Sequence, residues 1–407
     1  VKVVFLSPNY PPEMRQYTRG LAEVGAQVLG IGDTPVSQLS ASVKQHLHDY
    51  LHVPAILDED DVVARAHAWL RGREVDHVLA NWEVLVLTAA RMRERFGLPG
   101  MGVETVDGFR DKQKMKDRVR AAGLRTPRSY RARSVQEVED AARRIGYPLI
   151  IKPIAGAGSA DTWRVDDASD LPAVLRAVRH VPEVSCEEFI TGEEYTWDTL
   201  SVDGVPVYEN IAQYLPPPLI ARTREEISPV IITVRDLEQA KLQPARTLGR
   251  GVLRALGMQS GFTHMEWFRT PSGEAVFGEI GCRPGGAHLV DQMNYTSDVD
   301  LFREWARVAC WGRIGPVPPR RYNAAIIFKR ALGQGRITRI HGLDAFMARY
   351  GEHVVEQRLL PIGARRRDWK QTLTSDGHIL LRHPDWETTR RMAEEAASEV
   401  TLFAERG

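Results

Sequence analysis

Between His264 and His288 the chain sets two carboxylates, an arginine and a glycine-rich tail into one strand–turn–strand frame. His264-Met265-Glu266-Trp267-Phe268 alternates as a strand does, Thr270-Pro271-Ser272-Gly273 has the composition of a turn, and residues 274–280 return as a second strand. In a hairpin, side chains of one parity share a face, so Glu266 and Glu279 can converge. Facing carboxylates repel unless a cation separates them, and oxygen-only ligands of this kind suit Mg²⁺, which is held by carboxylates together with substrate phosphates. Arg283 lies four residues beyond Glu279 and just ahead of Gly285-Gly286, where its guanidinium can point into the same place. Magnesium, phosphate and arginine together suggest phosphoryl transfer. Solvated glutamates on the outer face of a hairpin would leave the same local pattern.

Two further stretches could carry phosphate chemistry. Ile150-Ile151-Lys152-Pro153 ends an apolar strand on a lysine, and Ala155-Gly156-Ala157-Gly158-Ser159-Ala160 follows at once. Small residues let backbone amides approach phosphate oxygens, and a neighbouring lysine neutralises charge. In a P-loop the lysine follows the glycines and leads into a helix; here it precedes them and a strand follows. A surface hairpin is the bland alternative. Glu187-Glu188-Phe189-Ile190-Thr191-Gly192-Glu193-Glu194 places acids at both ends of an apolar turn. Backbone groups at such a strand edge can read an adenine ring, and a following carboxylate can accept ribose hydroxyls, although solvated acids would look alike. Asp111-Lys112 opens an amphipathic helix that also carries Lys114 and Lys116, and charge runs of this kind usually form solvated faces.

These residues must be positioned by a chain of 407 residues, enough for two or three domains with a substantial core. Lys+Arg of 54 against Asp+Glu of 53 leaves a net charge of +1, which offers no bulk electrostatic reason to expect nucleic acid or a membrane surface as partner. Three cysteines, Cys186, Cys282 and Cys310, are too few and too scattered for a disulfide framework or a zinc site. Cys186 reads as a core residue, and no histidine–acid arrangement marks Cys282 as a nucleophile. No apolar run reaches transmembrane length, and the opening Val1-Lys2-Val3-Val4-Phe5-Leu6 is too short for a signal peptide, so a cytoplasmic protein is expected.

The chain opens with a β-α-β unit: a strand at 3–6, a helix at 13–24 and a strand at 27–31. Its first turn lacks the glycines of a dinucleotide fingerprint, which argues against a cofactor there. A helix at 61–72, a strand at 75–80 and a helix at 84–96 complete an N-terminal domain. Beyond it the pattern predicts helices at 112–122 and 134–145, the latter with Ser134 and Glu137 at capping-box spacing. Strands follow at 184–190, 195–202 and 206–211, then a turn or polyproline segment at 214–218 and the longest helix at 237–256. A helix at 301–311 and a proline-rich linker at 315–319 precede a small α/β module with a terminal helix at 387–403.

Taken in order, the Asp-Lys helix start, the strand–lysine–glycine loop, the Glu-Glu-Phe-Ile-x-Gly-x-Glu turn and the Glu…Glu-Ile-x-x-Arg hairpin resemble the ATP-grasp superfamily over nearly the whole chain. The chain looks most like the biotin-carboxylase-like carboxylate–amine ligases, a group that includes the L-amino-acid ligases. The resemblance implies an α/β protein of ATP-grasp fold. A Rossmann-like N-terminal α/β domain would span 1–108, an ATP-grasp domain 109–315 with a lid at about 125–195, and a C-terminal α/β module 316–407. It implies an ATP-dependent ligase that forms an amide or peptide bond through an acyl phosphate and releases ADP and phosphate.

Residue by residue, Lys112 and Lys152 resemble the phosphate-contacting lysines, and Gly156, Gly158 and Ser159 the loop that closes over ATP. Glu187, Glu188 and Ile190 match the adenine hinge, the last two through backbone atoms, and Glu194 the ribose-binding carboxylate. Glu266 and Glu279 match the ligands of two magnesium ions, which Mn²⁺ can replace. Arg283 matches the arginine that stabilises the acyl phosphate and, with Lys152, makes up the catalytic pair. There is one departure: the family often has Asn where this chain has Gly281. The partners implied are a small-molecule carboxylate and amine, with a homodimer as assembly and no nucleic acid or membrane. Glu83, His288 and Arg330 are the candidate substrate contacts, Glu83 being also a plausible helix cap, and Trp267 reads equally as core or pocket wall. The alternatives are a bicarbonate-dependent carboxylase of the biotin carboxylase type and a nucleotide-binding protein without catalysis. Biotin carboxylases carry a longer, more glycine-rich loop and a Gln-Val-Glu run where this chain has Gly285-Gly286-Ala287. Retention of Lys112, Lys152, Glu266, Glu279 and Arg283 argues against the inactive protein.

Overall fold

Lys2–Leu6 lies at the centre of a parallel sheet, flanked by Gln27–Gly32 and His77–Leu79, with Asp49–His52 on the outer side of Gln27–Gly32. Helical crossovers cover both faces, so the central strand reads as a continuous apolar run rather than an alternating one. Val3 and Phe5 face one layer and Val4 and Leu6 the other. The first layer is completed from far along the chain, because helix Leu301–Trp311 packs Phe302 and Trp305 against Tyr17 of helix Met14–Glu23. Gly20 permits the approach: a Cβ there would stand 2.6 Å from the Phe302 carbonyl oxygen.

This computed structural model describes residues 1–154, 162–372 and 374–406. After the first sheet comes a four-stranded antiparallel one in the order Ser129–Ala132, Val184–Glu188, Leu149–Pro153, Trp163–Val165. Helix Val135–Ile145 packs on it, and Ser134 caps that helix by accepting from the Glu137 amide. The Glu137 carboxylate reaches back to the amide of Arg133, one residue short of a reciprocal capping box.

The third sheet is the largest. Its eight antiparallel strands run Ala275–Gly281, Gly261–Arg269, Glu193–Val202, Val205–Leu215, Val230–Thr233, Asn323–Phe328, Gly377–His383, Val354–Leu359. The last three belong to the segment after residue 316, so that segment builds one continuous sheet with the hairpin strands. A fourth, three-stranded sheet pairs Thr401–Glu405 with Arg336–His341 and Leu332–Gly333.

Three elements differ from the sequence expectation. The terminal helix spans Trp386–Glu399 and not 387–403, because Thr401–Glu405 alternates Leu402 and Ala404 into a small core and pairs as a strand. The long helix begins at Gln243 after a 3₁₀ turn, Ala240–Leu242: Pro244 lacks an amide hydrogen and is accommodated only in a first turn. The segment at 214–218 is not all turn, since strand pairing continues through Leu215 before helix Pro218–Thr223 starts. No helix among the described residues is long and apolar enough to cross a membrane.

Candidate active site

Strand alternation divides the Gly261–Arg269 hairpin strand between two environments. Met265 and Trp267 are fully buried in the core, which settles Trp267 as a packing residue. His264, Glu266 and Phe268 face a cavity of about 500 Å³ between the second and third sheets. Glu266 pairs directly with Glu279 of the return strand, and the register shifts immediately afterwards, leaving Gly278 as an extra residue. Only glycine fits at that bulge, since a Cβ would lie 2.8 Å from the Glu266 carbonyl oxygen.

Three lysines meet the acids of this cavity. Lys112 Nζ is 3.2 Å from Glu279 Oε1, and Lys152 Nζ is 3.6 Å from Glu279 Oε2 and 3.1 Å from Glu187 Oε2. Lys116 Nζ, fully buried, is 2.7 Å from Glu187 Oε1. Burial alone would raise the Glu187 carboxyl, but Lys116 and Lys152 hold it down at about 2. Burial likewise works to raise Glu279, and Lys112 and Lys152 keep it low and ionised. At Glu194 burial and the neighbouring Glu266 push the carboxyl up, and Lys152 offsets them only in part. The Glu188 carboxylate turns outward to Arg125 at 3.2 Å, so the backbone of Glu188 to Ile190 forms this part of the wall.

Arg283, just past the return strand, is clamped. Its Nε donates to Glu83 Oε2 at 2.5 Å, while Arg110 pairs with the other Glu83 oxygen. Glu83 follows the His77–Leu79 strand in the turn Glu83–Leu85, so the first sheet delivers the group that orients the arginine. Burial would raise the Glu83 carboxyl, and Arg283 and Arg110 keep it low. Gly281 leaves room for this pair, since a Cβ there would stand 3.2 Å from Glu83 Oε2 and 3.4 Å from the Arg283 side chain.

Several cavity groups escaped the sequence reading. Lys116 belongs to a charge run of the kind that usually forms a solvated face, and the structure buries it. Tyr214 Oη donates to Glu266 Oε1 at 3.3 Å from a segment expected to be a turn. His264 Nδ1 is 2.5 Å from Asp198 Oδ1, and Asp198 also accepts from Thr196 and Asn210, which fixes the imidazole beside Glu266. Thr196, Asp198 and His264 share inward parity, but Asp198 and His264 are 66 residues apart and are brought together by the strand pairing.

Two candidate substrate contacts lie elsewhere. His288 does not line the cavity, and its Nδ1 is 3.1 Å from Asp291 Oδ2. Arg330 is buried outside it, donating to the carbonyls of Ala221 and Arg224 at 2.6 and 3.0 Å and lying over the Trp369 ring. It thereby anchors helix Pro218–Thr223, whose first residues do wall the cavity. Gly156, Gly158 and Ser159 lie outside the described residues. Burial pushes the Cys282 thiol up to about 12.

The charge balance tests what the cavity can hold. Among the described residues six glutamates line it; Glu83, Glu187, Glu188 and Glu279 are already met by Arg110, Arg283, Lys116, Lys152, Arg125 and Lys112, and Glu194 is pushed toward its neutral form. The facing Glu266 and Glu279 oxygens are the hard donors that suit Mg²⁺.

A family model described as the ATP-grasp domain matches residues 117–290. An L-arginine-specific L-amino acid ligase of Bacillus subtilis is 26% identical over 270 residues, 64% of each chain. An alanine–anticapsin ligase of Bacillus subtilis (strain 168) is 28% identical over 268 residues, 60% of this chain and 56% of that one. The chain thus spans less than two thirds of the length of these curated relatives. Among solved structures, an L-amino acid ligase from Bacillus licheniformis superposes with a TM-score of 0.78 at 20% identity, covering 100% of this chain and 99% of the other.

Proposed function

We propose that this chain, which carries an ATP-grasp domain at residues 117–290, is an ATP-dependent ligase joining a carboxylate to an amine through an acyl phosphate, with ADP and phosphate as products. The observation that carries this reading is the in-register pair Glu266 and Glu279, ringed by Lys112 and Lys152 and faced by a clamped Arg283 in one cavity. Names of the similar proteins support amino acids as the substrate class.

A carboxylate attacking ATP is anion meeting anion, so the site must offset the repulsion as the phosphoryl group moves. Glu266 and Glu279 would hold magnesium, two ions in this reading with Mn²⁺ able to replace them, and the metal would supply Lewis-acid neutralisation of the phosphoryl oxygens. Lys112 and Lys152 exchange their present carboxylate partners for phosphate oxygens. The strand end at Glu188 to Ile190 reads the adenine edge, and Glu194 takes the ribose hydroxyls. Arg283, held at a fixed angle by Glu83, receives the charge that builds on the acyl phosphate and its tetrahedral successor. Enclosure by Pro217 to Ile220 and the second sheet keeps water from the reactive acyl phosphate. The division 1–108, 109–315 and 316–407 belongs to the same proposal.

The test is a pairwise amino-acid screen with Mg²⁺ and ATP, scored by ADP release and by mass of the amide product. Release that requires both a carboxylate and an amine is expected. Turnover driven by bicarbonate without an amide product would overturn the reading in favour of a carboxylase.

A further inference from the structure

Outside the cavity, a second group of ligand-type side chains gathers where the loop after Arg283 meets the far edge of the eight-stranded sheet. His288, Glu356 and His378 each offer one ligand atom, and these atoms lie within 4.8 Å of one another. They come from three elements: the turn opening helix Leu289–Asn294, the edge strand Val354–Leu359 and its neighbour Gly377–His383. His378 Nε2 is 2.8 Å from Glu356 Oε1, and the two imidazole centroids are 4.6 Å apart. Ala287 and His288 both hold positive φ, 54° and 63°, a conformation that ordinary side chains avoid, and this turn carries the His288 ring to its partner.

A fourth residue orients the first. His288 Nδ1 is 3.1 Å from Asp291 Oδ2, and a neutral imidazole that donates there carries its lone pair on Nε2. A carboxylate behind a ligating histidine is the usual support of a metal-bound imidazole. Arg358 Nε is 2.8 Å from Glu356 Oε1, but its side chain is 66% exposed and the second carboxylate oxygen is left to serve as ligand.

We propose that His288, Glu356 and His378 bind one divalent transition-metal ion, zinc by ligand type, at a site separate from the acidic hairpin. Two imidazoles and a carboxylate are borderline donors that favour zinc, whereas hard Mg²⁺ prefers oxygen and water. Tetrahedral ligands about 2.0–2.1 Å from zinc stand roughly 3.4 Å apart, a spacing that side-chain rotation reaches from the present one. Three protein ligands leave one position for water. The ion would tie the loop behind Arg283 to the C-terminal strands.

The test uses the whole protein, stripped with a chelator and titrated with Zn²⁺ in excess Mg²⁺, with Co²⁺ absorption as a report on geometry. One equivalent of zinc is expected, with binding at least about tenfold weaker in His288→Gln and in Glu356→Gln. Glu279→Gln should bind zinc as the parent does. Absence of stoichiometric binding at micromolar zinc, equal affinity in all variants, or loss of zinc from Glu279→Gln would each overturn the site. None of these outcomes depends on the ligase activity.

Discussion

Lys116 Nζ and Glu187 Oε1 lie 2.7 Å apart with the lysine wholly withdrawn from solvent. Removing one partner strands a buried charge, so Glu187→Gln should destabilise the protein by about 3–5 kcal/mol. The double variant Lys116→Met/Glu187→Met should recover much of this loss while still binding ATP poorly, because Lys152 also leans on Glu187. Denaturation midpoints and nucleotide binding measure the two effects. A midpoint unmoved in Glu187→Gln would mean that the pair is not buried in solution.

The same carboxylate sets an acid limit. Its pKa falls from the ordinary 4.5 to about 2 in the folded chain, despite burial, because Lys116 and Lys152 favour the charged form. A depressed carboxyl contributes stability that is complete above pH 4.5 and is lost as the pH falls through 2. Stability should therefore decline over that window, and Glu187→Gln should flatten the decline. Parallel pH profiles of variant and parent would contradict this.

Glu279→Gln should abolish ATP turnover while leaving the fold intact, since the side chain reaches into the cavity and not into the core. ADP release at saturating Mg²⁺ and circular dichroism are the paired measurements. An unchanged rate would remove the hairpin acids from the reaction.

Arg283→Ala should lower turnover far more than ATP affinity, because the charge it meets develops late. Arg283→Lys should restore little, as lysine lacks the planar fork that Glu83 grips from behind. Glu83→Gln should give a milder fall in turnover by releasing the guanidinium. Full amine-dependent ADP release by Arg283→Ala would sink the assignment.

How much of this was legible depends on how far apart the deciding residues lie. The hairpin was readable because alternation, turn composition and both glutamates fall within one short stretch. Helix 112–121 was readable as a helix but not as a site. Lys112 and Lys116 share a face at four-residue spacing, as Lys114 does not, yet that face becomes an interior one through Glu279, which Lys112 meets, and Glu187, 71 residues beyond Lys116. Arg330 is the complementary case. Its strand was visible, but the direction of its side chain depends on Ala221 and Arg224, more than a hundred residues earlier. The Glu83–Arg283 clamp likewise unites residues 200 apart, and nothing local at Gly281 shows why that position is small.

The pairing of Val230–Thr233 with Asn323–Phe328 carries a practical consequence. The matched family region ends at residue 290, so a fragment cut there would lose the strand that closes this side of the sheet. Four unpaired backbone positions would be laid bare, with Val230 and Ile232 stripped of their cover from Ala325, Ile327 and Ile379. A naked apolar edge of that kind invites another chain to pair with it. A fragment meant to keep the large sheet closed must therefore run past residue 290, at least through Phe328.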